Sequence, residues 1–290
     1  MHPEARRLQE MLQNLYARHR GLVGFIDESY RSNRDEEFPF YTVTATILDV
    51  EDLIDFRDDY FSIVGGHRWH TTEMYKNGET EKIKDFIAVL ANHESELVVS
   101  VQVEIEDDDL EHARRECLVQ IVSRLSSMGC NLVVYERRED NKTRNADAAL
   151  FSRASRDGLI PRNLRVFPGS PSAEKLLWGP DLAGWAMRRY VAMDEIDWVR
   201  PFINNCEVID ASLGMKLKKK GPQPAAAMGS GPDSSVGLKG EGMNRSSSKS
   251  IARFGAAEKT IFEIFPKISN PAHDPGLLGD WLLREFPRRK

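Results

Sequence analysis

Three acidic positions sit at the edges of apolar segments. Asp27 and Glu28 close the run at residues 21–26, Glu136 closes residues 131–135, and Asp181 opens a helical stretch at Pro180. One acid after a strand is ordinarily a turn or cap residue. Three in the same context point further. If the two apolar runs are neighbouring strands, their ends meet, and a helix crossing that edge presents Asp181 to both. Converging carboxylates repel one another and desolvate badly, so they call for a compensating cation. Hard oxygen ligands select Mg²⁺ or Mn²⁺ over zinc. Such a site activates water and stabilises the leaving oxygen of a phosphodiester. Asp27, Glu136 and Asp181 are the candidate catalytic set; the metal candidates are these three with Glu28, Glu73 and Asp140. Gly184 lies one turn beyond Asp181, where a glycine costs about 1 kcal/mol of helix propensity and predicts the close approach of another backbone.

Other arrangements carry less chemistry. His67, His70 and Glu73 have an H-x-x-H-x-x-E spacing compatible with metal ligation, but two histidines and an acid recur by chance, and Gly65-Gly66 suggests a loop. His70 is kept as a phosphate-contacting candidate. Arg137 and Arg138 directly follow Glu136 and begin a basic stretch through Lys142, Arg144, Arg153, Arg156, Arg162 and Arg165. Basic side chains beside an acidic metal site suit a phosphate backbone. The intervening Glu139, Asp140, Asp147 and Asp157 fit a solvated helix face equally well. Cys117 falls inside an amphipathic helix and Cys130 just before a strand, which are ordinary buried positions rather than nucleophile settings. No Gly-x-Ser-x-Gly elbow, Walker loop or dinucleotide-binding glycine pattern occurs.

These residues need elements to position them. Leu8, Met11, Leu12, Leu15 and Tyr16 have helical spacing and predict an N-terminal amphipathic helix. Residues 21–26 predict a buried strand with its carboxylates emerging at the C-terminal end, joined by a polar loop to a second strand at 38–48. Helices are expected at 51–60, 79–92, 109–128 and 180–193, the last with Pro at its first position. Further strands are expected at 97–105 and 131–135. Antiparallel strands first, then helices interleaved with strands, indicate a mixed α/β domain.

Charge and composition set the bounds. The 290 residues suffice for a sizeable core, and 41% hydrophobic with 29% charged residues is ordinary for a globular chain. No apolar run reaches the roughly 18–20 residues of a membrane helix. The polar N-terminus lacks a signal peptide's apolar centre, and three cysteines are too few for a disulfide framework. A cytoplasmic location is the resulting expectation. Residues 216–253 carry eight Lys and Arg against Asp233 and Glu241, a local +6 in a chain of net −5, so the remainder stands at −11. Residues 212–258 are read as a disordered basic linker able to contact polyanions. Residues 259–290 regain apolar content and are expected to form a short helical element that docks back or binds a protein partner. Residues 1–20 are the N-terminal helix and 21–211 the main domain.

The segment Phe25-Ile26-Asp27-Glu28-Ser29, with Trp178-Gly179-Pro180-Asp181-Leu182-Ala183-Gly184 late in the domain, resembles domain-of-unknown-function family 3800. The resemblance covers residues 20–195 and implies a ribonuclease-H-like fold, a mixed sheet flanked by helices. By position it matches Asp27, Glu136 and Asp181 to the family's acids and His70 to its histidine. Two departures stand out. Arg68 occupies a position where many members have Glu, and Glu136 stands where Asp is commoner. The implied function is metal-dependent phosphodiester hydrolysis. The alternative is a catalytically inactive module of the same fold that binds nucleic acid or a protein partner.

Overall fold

The computed structural model describes residues 2–31, 39–66, 68–92, 96–103, 105, 109–138, 140–193 and 195–211. Among these, thirteen strands and α-helices build a six-stranded mixed sheet with helices on both faces. The expected basic linker and C-terminal element lie outside the described residues, as does His67. Among the described residues no helix is long and apolar enough to cross a membrane.

In chain order the elements are α1 (Pro3–Tyr16), β1 (Leu22–Arg31), β2 (Phe40–Asp49), α2 (Leu53–Val64), α3 (Thr71–Lys76), α4 (Thr80–Asn92) and β3 (Glu96–Val103). Then come α5 (Leu110–Ser127), β4 (Leu132–Glu136), α6 (Asn141–Arg156), β5 (Arg165–Gly169), α7 (Trp178–Met193) and β6 (Cys206–Asp210). The sheet order is β5-β4-β1-β2-β3-β6. The β1-β2-β3 meander is antiparallel, whereas β4 runs parallel to β1, β5 to β4 and β6 to β3.

Side-chain alternation divides the core into two layers. Val23 and Phe25 of β1 and Leu132 and Val134 of β4 point to the layer formed by α1, α2, α4 and α7. Ile26, Val133 and Tyr135 point to the other, where α5 and α6 pack. The N-terminal helix buries Ala5, Leu8, Leu12 and Tyr16 against the sheet, so it is packed into the same domain; Met11 of its expected stripe faces outward. Buried Glu174 fixes that docking. Its carboxylate accepts from Tyr16 Oη at 2.8 Å and takes a two-pronged contact from Arg57 of α2 at 3.0 and 2.7 Å.

Several elements depart from the sequence expectations. β1 does not stop at Ile26 but runs through Arg31, because antiparallel pairing with β2 continues from Leu22↔Asp49 to Arg31↔Phe40. Asp27 and Glu28 therefore lie within a strand rather than beyond it. The last helix begins two residues early, at Trp178, with Pro180 still in the first turn, where its missing N–H is not needed. The sequence pattern does not predict α3, α6, β5 or β6. β5, sequence RVFPG, is an edge strand, where Pro168 is tolerated.

The entry to α7 is tight. A Cβ built on Gly179 would lie 2.6 Å from Tyr60 Oη and 3.3 Å from Thr46 Cγ2, whereas at Gly184 the nearest atom is Thr44 Oγ1 at 3.2 Å. The close approach at Gly184 is thus to side chains of β1 and β2, not to a backbone. Gly179→Ala should destabilise the protein by about 1–3 kcal/mol through overpacking, exceeding its gain in helix propensity. Tyr60 Oη has no hydrogen-bond partner among the described residues. Adding Tyr60→Phe should therefore restore most of the loss in a urea-denaturation cycle; additive effects would place the strain elsewhere.

Candidate carboxylate site

The parallel register between β1 and β4 runs Val23↔Leu132 to Ile26↔Tyr135, so the next pair in step is Asp27 with Glu136. Both share the side-chain direction of Phe25 and Val134 and face the α7 layer. From that layer Asp181, in the first turn of α7, completes the group. The fold thus brings the three acids of two strands and one helix to a common place.

The electrostatics of Asp27 and Glu136 register the neighbouring acids. Asp27 is pushed well above the usual carboxyl range, first by burial and then by the negative charges of Glu136 and Asp181. Glu136 is raised by burial, with Asp181 and Glu28 adding to it. Burial raises Asp181 as well. The Asp27 and Glu136 carboxyls are hydrogen-bonded to each other, an arrangement in which the pair shares a proton. Among the described residues none of the three is ion-paired to arginine or lysine. The positive influence comes from His70, which lowers both Glu136 and Asp181.

Asp181 is oriented by Thr71 and Trp69, whose roles sequence reasoning missed although it singled out the neighbouring Arg68, His70 and Glu73. Its Oδ2 accepts from Thr71 N at 2.9 Å and from Thr71 Oγ1 at 2.8 Å. Buried Trp69 donates its indole N–H to Thr71 Oγ1 at 2.8 Å, so that hydroxyl's own proton is directed to Asp181. His70 lies between them in extended conformation at the head of α3, with its side chain exposed. The signal available in sequence was Trp69-His70-Thr71-Thr72-Glu73, which spacing alone presented as a histidine motif. A second silent residue is Thr44, opposite Asp27 on β2, whose buried hydroxyl has no partner among the described residues.

The remaining candidates are directed elsewhere. Glu28, one residue from Asp27, points to the opposite face, because strand neighbours alternate. Its carboxylate takes Arg114 Nη2 and Nε at 2.6 and 2.7 Å and accepts from Tyr41 Oη. Asp140 caps α6, accepting from Thr143 N at 2.9 Å, and those bonds hold its pKa low. Glu73 is exposed and paired with Arg68 at 3.1 Å. Arg138 contacts Glu111 and Asp147, both at 2.7 Å, and Arg137 contacts Glu4 at 2.7 Å. Among the described residues no three His, Cys, Asp or Glu side chains are already arranged to hold a metal ion: Asp27 is bonded to Glu136, and Asp181 is turned to Thr71. No protein-family model, curated protein or solved structure matches this chain.

The raised pKa values have a consequence for stability. The folded state holds protons that the unfolded chain releases, so this contribution is full below the unfolded carboxyl range and is lost as pH rises through the raised values. Asp27→Asn removes one ionisable carboxyl from the cluster. It should stabilise the fold near neutral pH, and the gain should shrink as pH falls toward about 4. Urea denaturation of both proteins across that range checks this; a pH-independent difference would contradict it.

Proposed function

We propose that this protein is a Mg²⁺- or Mn²⁺-dependent phosphodiesterase acting on nucleic acid, built on a ribonuclease-H-like sheet. The observation that carries this reading is the meeting of Asp27, Glu136 and Asp181 on one face beside the β1–β4 pair. The strand order supports it: an antiparallel β3-β2-β1 meander continued by parallel β4 and β5, with β6 added beside β3. The resemblance to domain-of-unknown-function family 3800 points the same way through Asp27-Glu28-Ser29 and Asp181-Leu182.

The residues fit a hard divalent cation. All three donors are carboxylates, and the charge offsetting them is a shared proton rather than a fixed lysine or arginine. Bound there, Mg²⁺ or Mn²⁺ supplies charge for the leaving oxygen and lowers the pKa of a water molecule. The chain's own contribution is orientation. Holding the cation would take Asp27 and Glu136 in their ionised form, with the proton they share passing to solvent. Thr71, aligned by Trp69, fixes Asp181 through Oδ2. Exposed His70, beside Glu136 and Asp181, is available to a substrate phosphate.

The inactive-module reading is favoured by one observation. Glu73, one of the three further acids considered for the metal, pairs with Arg68 at the surface instead of joining the cluster. An assay with labelled DNA and RNA oligonucleotides in Mn²⁺ separates the two. Cleavage should occur in the wild type and fall more than about 100-fold in Asp181→Asn, beyond the effect of losing an outer partner. Thr71→Val, which removes a hydroxyl but keeps the N–H, should cost about 10–100-fold in metal affinity. Binding without cleavage in the wild type selects the inactive module, and equal cleavage by Asp181→Asn rules out the proposed site.

A further inference from the structure

The basic residues that follow Glu136 fall into two groups that differ in charge balance. On the α5 face, Arg114, Arg115 and Arg138 are matched by Glu28, Asp147 and Glu111, three cations to three anions. On the other side, Arg137 and Arg144 share one carboxylate. Arg137 Nη2 donates to Glu4 Oε1 at 2.7 Å, and Arg144 Nη1 lies 3.8 Å from the same oxygen. Among the described residues, two guanidinium groups facing one carboxylate leave an excess positive charge.

This pair is held in place. The Arg137 backbone N–H donates to Gly169 O at 3.0 Å, continuing the β4–β5 pairing one residue past Glu136. Arg144 Nε donates to Arg138 O at 2.6 Å, which ties its guanidinium to the chain leaving β4. The Arg137 side chain is only 19% exposed, while Glu4 is 54% exposed. Glu4 sits in the first turn of α1, whose buried Ala5, Leu8 and Leu12 pack in the layer that Glu136 faces. The carboxylate is thus the accessible half of the pair, presented by a helix to a preformed fork, and a guanidinium fork takes phosphate as readily as carboxylate.

Resting on the nuclease reading, we propose that Arg137 and Arg144 form a subsite for a backbone phosphate of the nucleic-acid substrate, and that Glu4 occupies it as an internal competitor until the substrate displaces it. Arg137 follows Glu136 directly in the chain, and its partner Glu4 belongs to α1, which packs in the layer that Glu136 faces. The arrangement assigns Arg138 a structural role instead, because its charge is already satisfied.

The test is fluorescence anisotropy of a labelled single-stranded oligonucleotide with the full chain in EDTA, across a salt series. EDTA keeps binding separate from cleavage. The double variant Arg137→Ala/Arg144→Ala should bind more weakly, with its log K against log salt slope reduced by about 0.7 for each phosphate it no longer neutralises. Glu4→Gln should bind more tightly than the wild type, and circular dichroism should report an unchanged fold. An unchanged slope in the double variant would overturn the subsite, and unchanged or weaker binding by Glu4→Gln would overturn the competition. If Asp181→Asn cleaves as well as the wild type while the double variant loses slope, the catalytic reading falls and the subsite stands.

Discussion

Like charge held at close range is the constraint on which the rest of this structure turns. Asp27, Glu136 and Asp181 come from two strands and a helix, and burial makes their mutual repulsion costly. Nothing local favours that meeting. It is imposed by the parallel register of β1 with β4 and by α7 lying across the same face. The cost is limited by the proton shared between Asp27 and Glu136 and by two hydrogen bonds from Thr71 to Asp181. An arrangement that destabilises the fold yet is supported by Trp69 and Thr71 behind it is what a functional site looks like in physical terms.

The surrounding polar groups hold this meeting in place from both sides of the sheet. Behind Asp27, the next residue, Glu28, is clamped by buried Arg114, which is itself held by buried Asp147 of α6. Those charges are paired and hydrogen-bonded, the condition under which burial is tolerated. On the α7 face, Glu174 draws α1 and α2 together through Tyr16 and Arg57. Burial and the neighbouring Glu174 push the Tyr16 hydroxyl's pKa up, so it stays protonated and keeps donating. Among the described residues the three site carboxylates have no arginine or lysine partner, and this contrast marks them out.

The site was legible in sequence where chemistry coincides with element boundaries. Glu136 after an apolar run and Asp181 beside Pro180 could be read directly, whereas the adjacency of the first and fourth strands entered only as a condition, which the β1–β4 pairing meets. Non-local information was not legible. β1 continues past Asp27 only because β2 pairs with it to Arg31, and that extension sends Glu28 to the opposite face. β6 is five residues long and is held by β3, too short for a pattern of its own. α6 buries only Asp147, Phe151 and Ala154, too few apolar residues to reveal a helical period. Thr71, aligned by Trp69, acts on Asp181 across 110 positions of chain, and no spacing rule reaches that far.

The central claim is that the three carboxylates form one cation site, and calorimetric titration of Mn²⁺ into the wild-type protein and Asp27→Asn tests it most directly. Saturable binding at millimolar metal or below in the wild type, accompanied by proton release and lost in Asp27→Asn, is the predicted result. No binding by the wild type in that range, or equal binding by both proteins, would contradict it.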